Sequence, residues 1–326
     1  MKATGTDRKR NESADAELAA PAITRRHLLQ AGAATLAGAM TGAQLSAASL
    51  QEKKGVTDPE NPPLPNASPQ SPVTAHRIRQ SACRWCYSGL SLEQLCAAGA
   101  AMGLAGIDLL QPAEYAIPRR YGMVCTMGYA DAGEIQRGLN RVEHHAAIEA
   151  GLRRNLPLAQ RAGVQRVITF AGLRDGISDA EGMRNTIIGL KRMKPLMEDH
   201  GIQLCLELLN SKVDHPGYMA DHTAWGVAVV REVDSPQIRL LYDIYHMQIM
   251  EGDLITTIRQ NIDCIGHFHT GGVPGRHELN SQQEVQWDGV MRAIAATSFS
   301  GYVAHEFIPL GDPLASLQQA VTLCAV

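Results

Sequence analysis

Four side chains with metal-binding atoms end four apolar runs in the second half of the sequence. Glu207 follows Ile202–Leu206, Asp243 follows Ile238–Tyr242, His269 follows Cys264–Phe268, and Glu306 follows Tyr302–His305. Each run has the length of a β-strand. If those strands are parallel and close into a barrel, their carboxyl ends share one face, and donors far apart in sequence converge there. Glu207 stands in the stretch Leu204–Leu209, where a carboxylate needs a cation or hydrogen-bond donor to offset its desolvation. Lys212 or an Arg is the simpler partner, and a metal ion the other. Asp243 and His246 form an Asp-x-x-His unit just past the sixth strand, in which the Asp can bind metal while the His faces a substrate. His267 and His269 alternate with Gly266 and Phe268, so their imidazoles point to one side. His269, nearer the carboxyl end, is the better ligand, with backbone carbonyls as the alternative partners of both. Glu306 repeats the environment of Glu207. The set Glu207, Asp243, His269 and Glu306 predicts one divalent metal ion, its oxygen and nitrogen donors suiting Mn²⁺, Mg²⁺, Co²⁺ or Zn²⁺.

The elements that must position these groups alternate between strand and helix. Strands are expected at Arg79–Cys83, Gly106–Leu110, Met123–Met127, Arg166–Phe170 and Gln203–Glu207, followed by the three already described. Helices are expected at Leu92–Met102, Asn140–Ala162, Asp179–His200, Ala220–Val233, Asp253–Asn261, Trp287–Ala296 and Pro313–Leu323, with Gly163 and Gly201 placed to end two of them. Only a short helix or loop fits between strands two and three. Eight strands separated mostly by helices, the later ones continuously apolar, predict an α/β fold, a (β/α)8 barrel with its sheet covered on the outside. Closure of the sheet is the step that pattern does not decide. No phosphate-cradling glycine fingerprint follows strand one, against a dinucleotide-binding fold.

The first 76 residues are set apart from this core. Thr24, Arg25, Arg26, His27, Leu28 and Leu29 precede a small-residue run, Ala31–Ala43, in the order of a twin-arginine export signal with cleavage near Ala47 or Ala48. Residues 1–48 are read as that signal, which implies a periplasmic or secreted protein. The run is too short and too weakly apolar for a stable membrane span. Residues 49–76 hold Pro59, Pro62, Pro63, Pro65, Pro69 and Pro72 among polar residues and read as an extended linker. Residues 77–326 remain for one barrel domain, close to the usual barrel length of about 250 residues.

Composition narrows the partners. A net charge of −3, with no basic block or aromatic ladder in residues 77–326, leaves no electrostatic footprint for nucleic acid. Seven cysteines are an odd number, and Cys125, Cys205 and Cys264 lie in apolar runs, as buried thiols rather than a disulfide scaffold. Cys83 and Cys86 have the spacing of a redox pair without the surroundings of one. A homo-oligomer is compatible with the chain, though no face is marked for it.

The stretches Glu207–Asn210, Tyr242–Asp253, Gly266–His269, Val273–Glu278 and Gly301–Pro309 resemble those of the xylose isomerase-like TIM barrels, above all the hydroxypyruvate isomerase group. The resemblance is dense over about 100 residues. It implies that Glu207, Asp243, His269 and Glu306 hold the metal, that Glu207 and Glu306 are the proton-transfer bases, and that His246 and Arg276 contact a sugar or keto-acid substrate, with His267 placed beside them. His269 is a departure: hydroxypyruvate isomerases have Gln there, and ketose 3-epimerases of the superfamily have His. The chemistry implied is isomerisation (hydroxypyruvate to 2-hydroxy-3-oxopropanoate) or 3-epimerisation through an enediolate. Three rivals stand beside it: a metal-dependent lyase or epimerase of 3-keto sugars or glycosides, an endonuclease-like barrel, and a non-catalytic sugar-binding barrel.

Overall fold

The computed structural model describes residues 78–326. The expected export signal (1–48), the expected linker (49–76) and the first residue of the expected barrel domain lie outside the described residues. Eight parallel strands form one closed barrel in sequential order: β1 (Gln80–Cys83), β2 (Gly106–Leu110), β3 (Val124–Gly128), β4 (Arg166–Thr169), β5 (Gln203–Leu208), β6 (Ile238–Asp243), β7 (Ile265–Thr270) and β8 (Val303–His305). Closure is made by β1 pairing with β8, Ser81 beside Ala304. The helices are α1 (Leu92–Ala101), α2 (His145–Ala162), α3 (Asp179–His200), α4 (Thr223–Val233), α5 (Ile244–Met250), α6 (Leu254–Asn261), α7 (Trp287–Ala295) and α8 (Pro313–Leu323). Between β2 and β3 there is only a 3₁₀ turn, Ile117–Tyr121.

Local chemistry accounts for the boundaries. Ser91 and Gln94 form a reciprocal capping box at the start of α1, and Ser178 accepts from the Glu181 N–H to start α3. Gly163 and Gly201 end α2 and α3 in the left-handed conformation, φ 72° and 63°, where a side chain would clash with its own backbone. The segment Asn140–His144, expected to be helical, is instead an irregular stretch and a 3₁₀ turn. Asn140 is committed elsewhere, its side-chain N–H₂ donating to the Leu173 carbonyl and its backbone N–H to that of Ala171. Helix α5 was not expected. Asp243 starts it by accepting from the backbone N–H groups of Tyr245 and His246 at 2.8 and 3.2 Å, so the last residue of β6 is also a helix cap.

The strands read as apolar because both of their faces are covered: Ile107, Leu204, Leu206, Leu240 and Phe268 are fully buried. All seven cysteines are free, and six are buried. Among the described residues no helix is long and apolar enough to cross a membrane. Strand register carries the donors to one level. Asp243 of β6 lies directly beside His269 of β7, and His269 beside Ala304 of β8, two residues before Glu306.

Close approach of β2 to β3 requires a glycine at position 106, where a Cβ would stand 2.3 Å from the Val124 carbonyl oxygen. Gly106→Ala is expected to lower the unfolding free energy by about 1–3 kcal/mol in urea titration. Unchanged stability contradicts this packing.

Candidate metal and catalytic site

Glu207, Asp243, His269 and Glu306 meet at the carboxyl ends of β5–β8. Each offers one donor atom within 4.8 Å of all the others, and all four residues are buried. Lys212 does not neutralise Glu207, because its ammonium donates to the Ile249 and Met250 carbonyls at the end of α5, both at 3.0 Å.

The imidazole of His269 organises the cluster. Its Nε2 lies 2.9 Å from Asp108 Oδ2, which orients the ring and leaves Nδ1 facing the glutamates. Nδ1 is 2.8 Å from Glu306 Oε2 and 3.3 Å from Glu207 Oε1, but neither contact has the direction of a hydrogen bond, and Nδ1 is a buried nitrogen without a hydrogen-bond partner. A buried nitrogen aimed between two carboxylates, with a third carboxylate beside them and its far side braced by Asp108, is the carboxylate–histidine–metal arrangement. The residues therefore fit a divalent ion, held by three carboxylates and one imidazole.

Asp108, on β2, was missed as a site residue. It accepts hydrogen bonds from Thr126 through Oδ1, and Oδ2 meets both His269 and, at 3.2 Å, His267. Burial raises its pKa, but His267 and His269 outweigh burial and hold the carboxyl well below the usual carboxylate range. The two imidazoles do share one side of β7, as alternation predicts, with ring centroids 5.3 Å apart. His267 does not reach the substrate side. It lies one step deeper in the barrel, wholly buried and bound to Asp108, so its place is to fix Asp108 rather than to contact substrate.

Arg276 is half-buried, its side chain 13% exposed, rather than an exposed loop residue. It donates from Nη2 to Asp243 Oδ2 at 3.0 Å and also to Glu306 Oε2, and its guanidinium lies 5.5 Å from the centre of the Trp85 ring and 5.2 Å from that of Tyr245. His246, on α5, is wholly buried. Asn210 donates to its Nδ1 at 2.6 Å, leaving Nε2 to carry the proton, 3.5 Å from Asp243 Oδ2 and 3.2 Å from Arg276 Nη1. Two donors facing each other do not form a hydrogen bond, so neither of these N–H groups satisfies the other. Trp85 was also missed. Its Nε1–H donates to Glu306 Oε1 at 2.6 Å while the ring remains 41% exposed.

These surroundings separate the two glutamates. Burial raises the Glu207 pKa against the opposing pull of His269, with the charge of Glu306 adding to the rise. Burial also acts on Glu306, but Arg276, His269 and the Trp85 hydrogen bond hold it well below the usual range. Burial pushes Asp243 up to about 7 against the opposing pull of Arg276. Burial, with Arg276 adding to it, lowers the pKa of His246 well below the usual value, so it is neutral.

The family model of the xylose isomerase-like TIM barrel matches residues 120–322. The chain belongs to that family. A 2-oxo-tetronate isomerase of Cupriavidus necator is 27% identical over 232 residues, covering 68% of this chain and 88% of that one. Hydroxypyruvate isomerase of Escherichia coli is 28% identical over 152 residues, 46% of this chain and 58% of that enzyme's own length; a zebrafish relative is matched over 50% of its length. Among solved structures, 3-keto-D-glucoside 4-epimerase of E. coli shares the fold with a TM-score of 0.65 and 19% identity, over 76% of this chain and 98% of that one.

Asp108→Asn is expected to weaken Mn²⁺ binding about 10–100-fold in calorimetric titration with the fold retained. Unaltered affinity removes Asp108 from the site. Because protons compete for His269 Nδ1 and for Asp243, affinity for the ion is also expected to fall as pH drops below 7. Constant affinity from pH 8 to pH 5.5, the range over which a carboxyl of raised pKa changes charge, contradicts this ligand set.

Proposed function

We infer that the chain is a metal-dependent isomerase acting on a small α-hydroxycarbonyl compound, a sugar or keto acid, through an enediolate. That it is an isomerase is supported by relatives named hydroxypyruvate isomerase and 2-oxo-tetronate isomerase. The observation that carries the mechanism is the pair of glutamates with opposed environments on either side of His269 Nδ1. A divalent ion in this ligand set supplies Lewis-acid stabilisation of the oxygen charge that develops on enolisation.

The rest of the work falls to the side chains. Glu207, whose proton affinity is raised by burial, takes the proton from the carbon next to the carbonyl. The C–H electron pair becomes the new C=C bond, and the carbonyl π pair moves to oxygen. Glu306 is held rigidly by Trp85 and Arg276, which fits a fixed ligand on the opposite side and the second group able to return a proton. Return to the neighbouring carbon, with the proton of the hydroxyl oxygen passing to the former carbonyl oxygen, gives aldose–ketose isomerisation, and return to the opposite face of the same carbon gives epimerisation. Arg276 and His246 direct N–H groups at the oxygens that carry the charge. A carboxylate raised in pKa and one lowered in pKa, in one site, are suited to these different tasks.

Export through the twin-arginine pathway is part of this reading, with the ion loaded before translocation. Glu207→Gln is expected to reduce solvent-deuterium incorporation into substrate by about 10²–10⁴-fold while circular dichroism is unchanged. Glu306→Gln is expected to do the same, and wild-type exchange in either variant rejects the two-glutamate mechanism.

A further inference from the structure

The β7–α7 loop (271–286) and the β8–α8 loop (306–312) are fastened to one another beside the site. The Gly272 N–H donates to the His277 carbonyl at 2.9 Å, which folds the first loop back on itself. The Ile308 N–H donates to the Arg276 carbonyl at 2.6 Å, and His277 Nδ1 to the Ile308 carbonyl at 2.9 Å. The last fastening is a side chain. Glu278 Oε1 accepts from the backbone N–H groups of Leu310 and Gly311 at 2.7 and 3.1 Å and from the Ser316 hydroxyl at 3.0 Å. Two consecutive N–H groups and a hydroxyl, at the start of α8, make a receptor for an anion. Burial opposes the charge on Glu278, but these donors outweigh burial and hold its pKa below the usual carboxylate value.

What the fastening holds is Arg276. Its φ is 58°, in the left-handed region, which a residue with a side chain occupies only where the surrounding structure compels it. Its carbonyl is taken by Ile308, and its Nε–H donates to the Glu306 carbonyl at 3.2 Å. The side chain lies close against the backbone of its own loop, since a Cβ on Gly271 would stand 3.1 Å from Arg276 Cγ. From that position the guanidinium reaches Asp243 and Glu306. Among the described residues Glu278 has no hydrogen bond to the ligand set, so its influence on the site passes through residue 276.

We propose that Glu278 is a positioning residue: by latching the β7–α7 loop to residues 310 and 311 it fixes Arg276 in its left-handed conformation and so places the guanidinium against Asp243 and Glu306. This rests on the role given above to Arg276 in directing N–H groups at the substrate oxygens. A carboxylate that only capped α8 would stabilise the fold without acting through the arginine, and a double-mutant cycle separates the two roles.

The test uses the full chain loaded with Mn²⁺, following solvent-deuterium incorporation into hydroxypyruvate and 2-oxo-tetronate by NMR, with amide hydrogen exchange at Ile308 measured in the same proteins. Glu278→Ala is expected to lower kcat/KM about tenfold or more, because a small displacement of a positioned group is costly. Glu278→Gln, which keeps an acceptor oxygen for the two N–H groups, is expected to stay within about threefold of wild type. In an Arg276→Ala background Glu278→Ala is expected to cost less than about twofold, since the group it positions is gone. Ile308 amide exchange is expected to be about tenfold or more faster in Glu278→Ala. Where the alanine variant does not fold, Glu278→Asp takes its place in the cycle, one methylene less withdrawing the carboxylate from Leu310 and Gly311. The same loss with and without Arg276, no loss in either background, or an unaltered Ile308 exchange rate overturns the proposal. Deuterium entering neither probe with the wild-type protein rejects the enolising site instead, and Ile308 exchange then decides by itself whether Glu278 latches Arg276.

Discussion

Three carboxylates and an imidazole, all buried, are held within 4.8 Å of one another, and that concentration of charge constrains everything around it. A buried carboxylate is costly unless a cation or several donors offset it. The protein meets the requirement from three directions: Arg276 donates to Asp243 and Glu306, backbone N–H groups of α5 donate to Asp243, and Trp85 donates to Glu306. Glu207 receives no such help, and His269 Nδ1 is left without a hydrogen bond. The remaining demand for positive charge therefore falls between Glu207, His269 and Glu306, where a bound cation would satisfy all three at once.

The barrel makes this arrangement stable. Parallel strands in register set Asp243 against His269, and the tight β2–β3 contact at Gly106 carries Asp108 under the histidine pair. Asp108 faces two imidazoles, the Thr126 hydroxyl and the Cys83 thiol and is wholly buried. Rigid support of this kind holds ligands in place without help from the loops.

The convergence of Glu207, Asp243, His269 and Glu306 was legible because each donor interrupts or ends an apolar run, a pattern that survives without coordinates. The eight strands and most helix ends were legible for the same reason, with capping serines and terminal glycines marking boundaries. Asp108 carried the same mark as Glu207, a carboxylate within the apolar run Gly106–Leu110, but no second donor nearby in sequence drew attention to it. Trp85 carried none. Its contact with Glu306 spans 221 residues and exists only because β1 closes on β8. His267 was placed on the correct side of its strand, but depth along the barrel axis is not encoded in alternation. Helix α5 was hidden because Asp243 acts as both strand end and helix cap.

The central claim is that Glu207, Asp243, His269 and Glu306 ligate one ion. Crystals of the protein grown with Mn²⁺ and measured at the manganese absorption edge test it most directly. The account predicts a single anomalous peak at about 2.0–2.3 Å from one donor atom of each of the four residues. A peak ligated by other side chains, or no peak at saturating Mn²⁺, contradicts it.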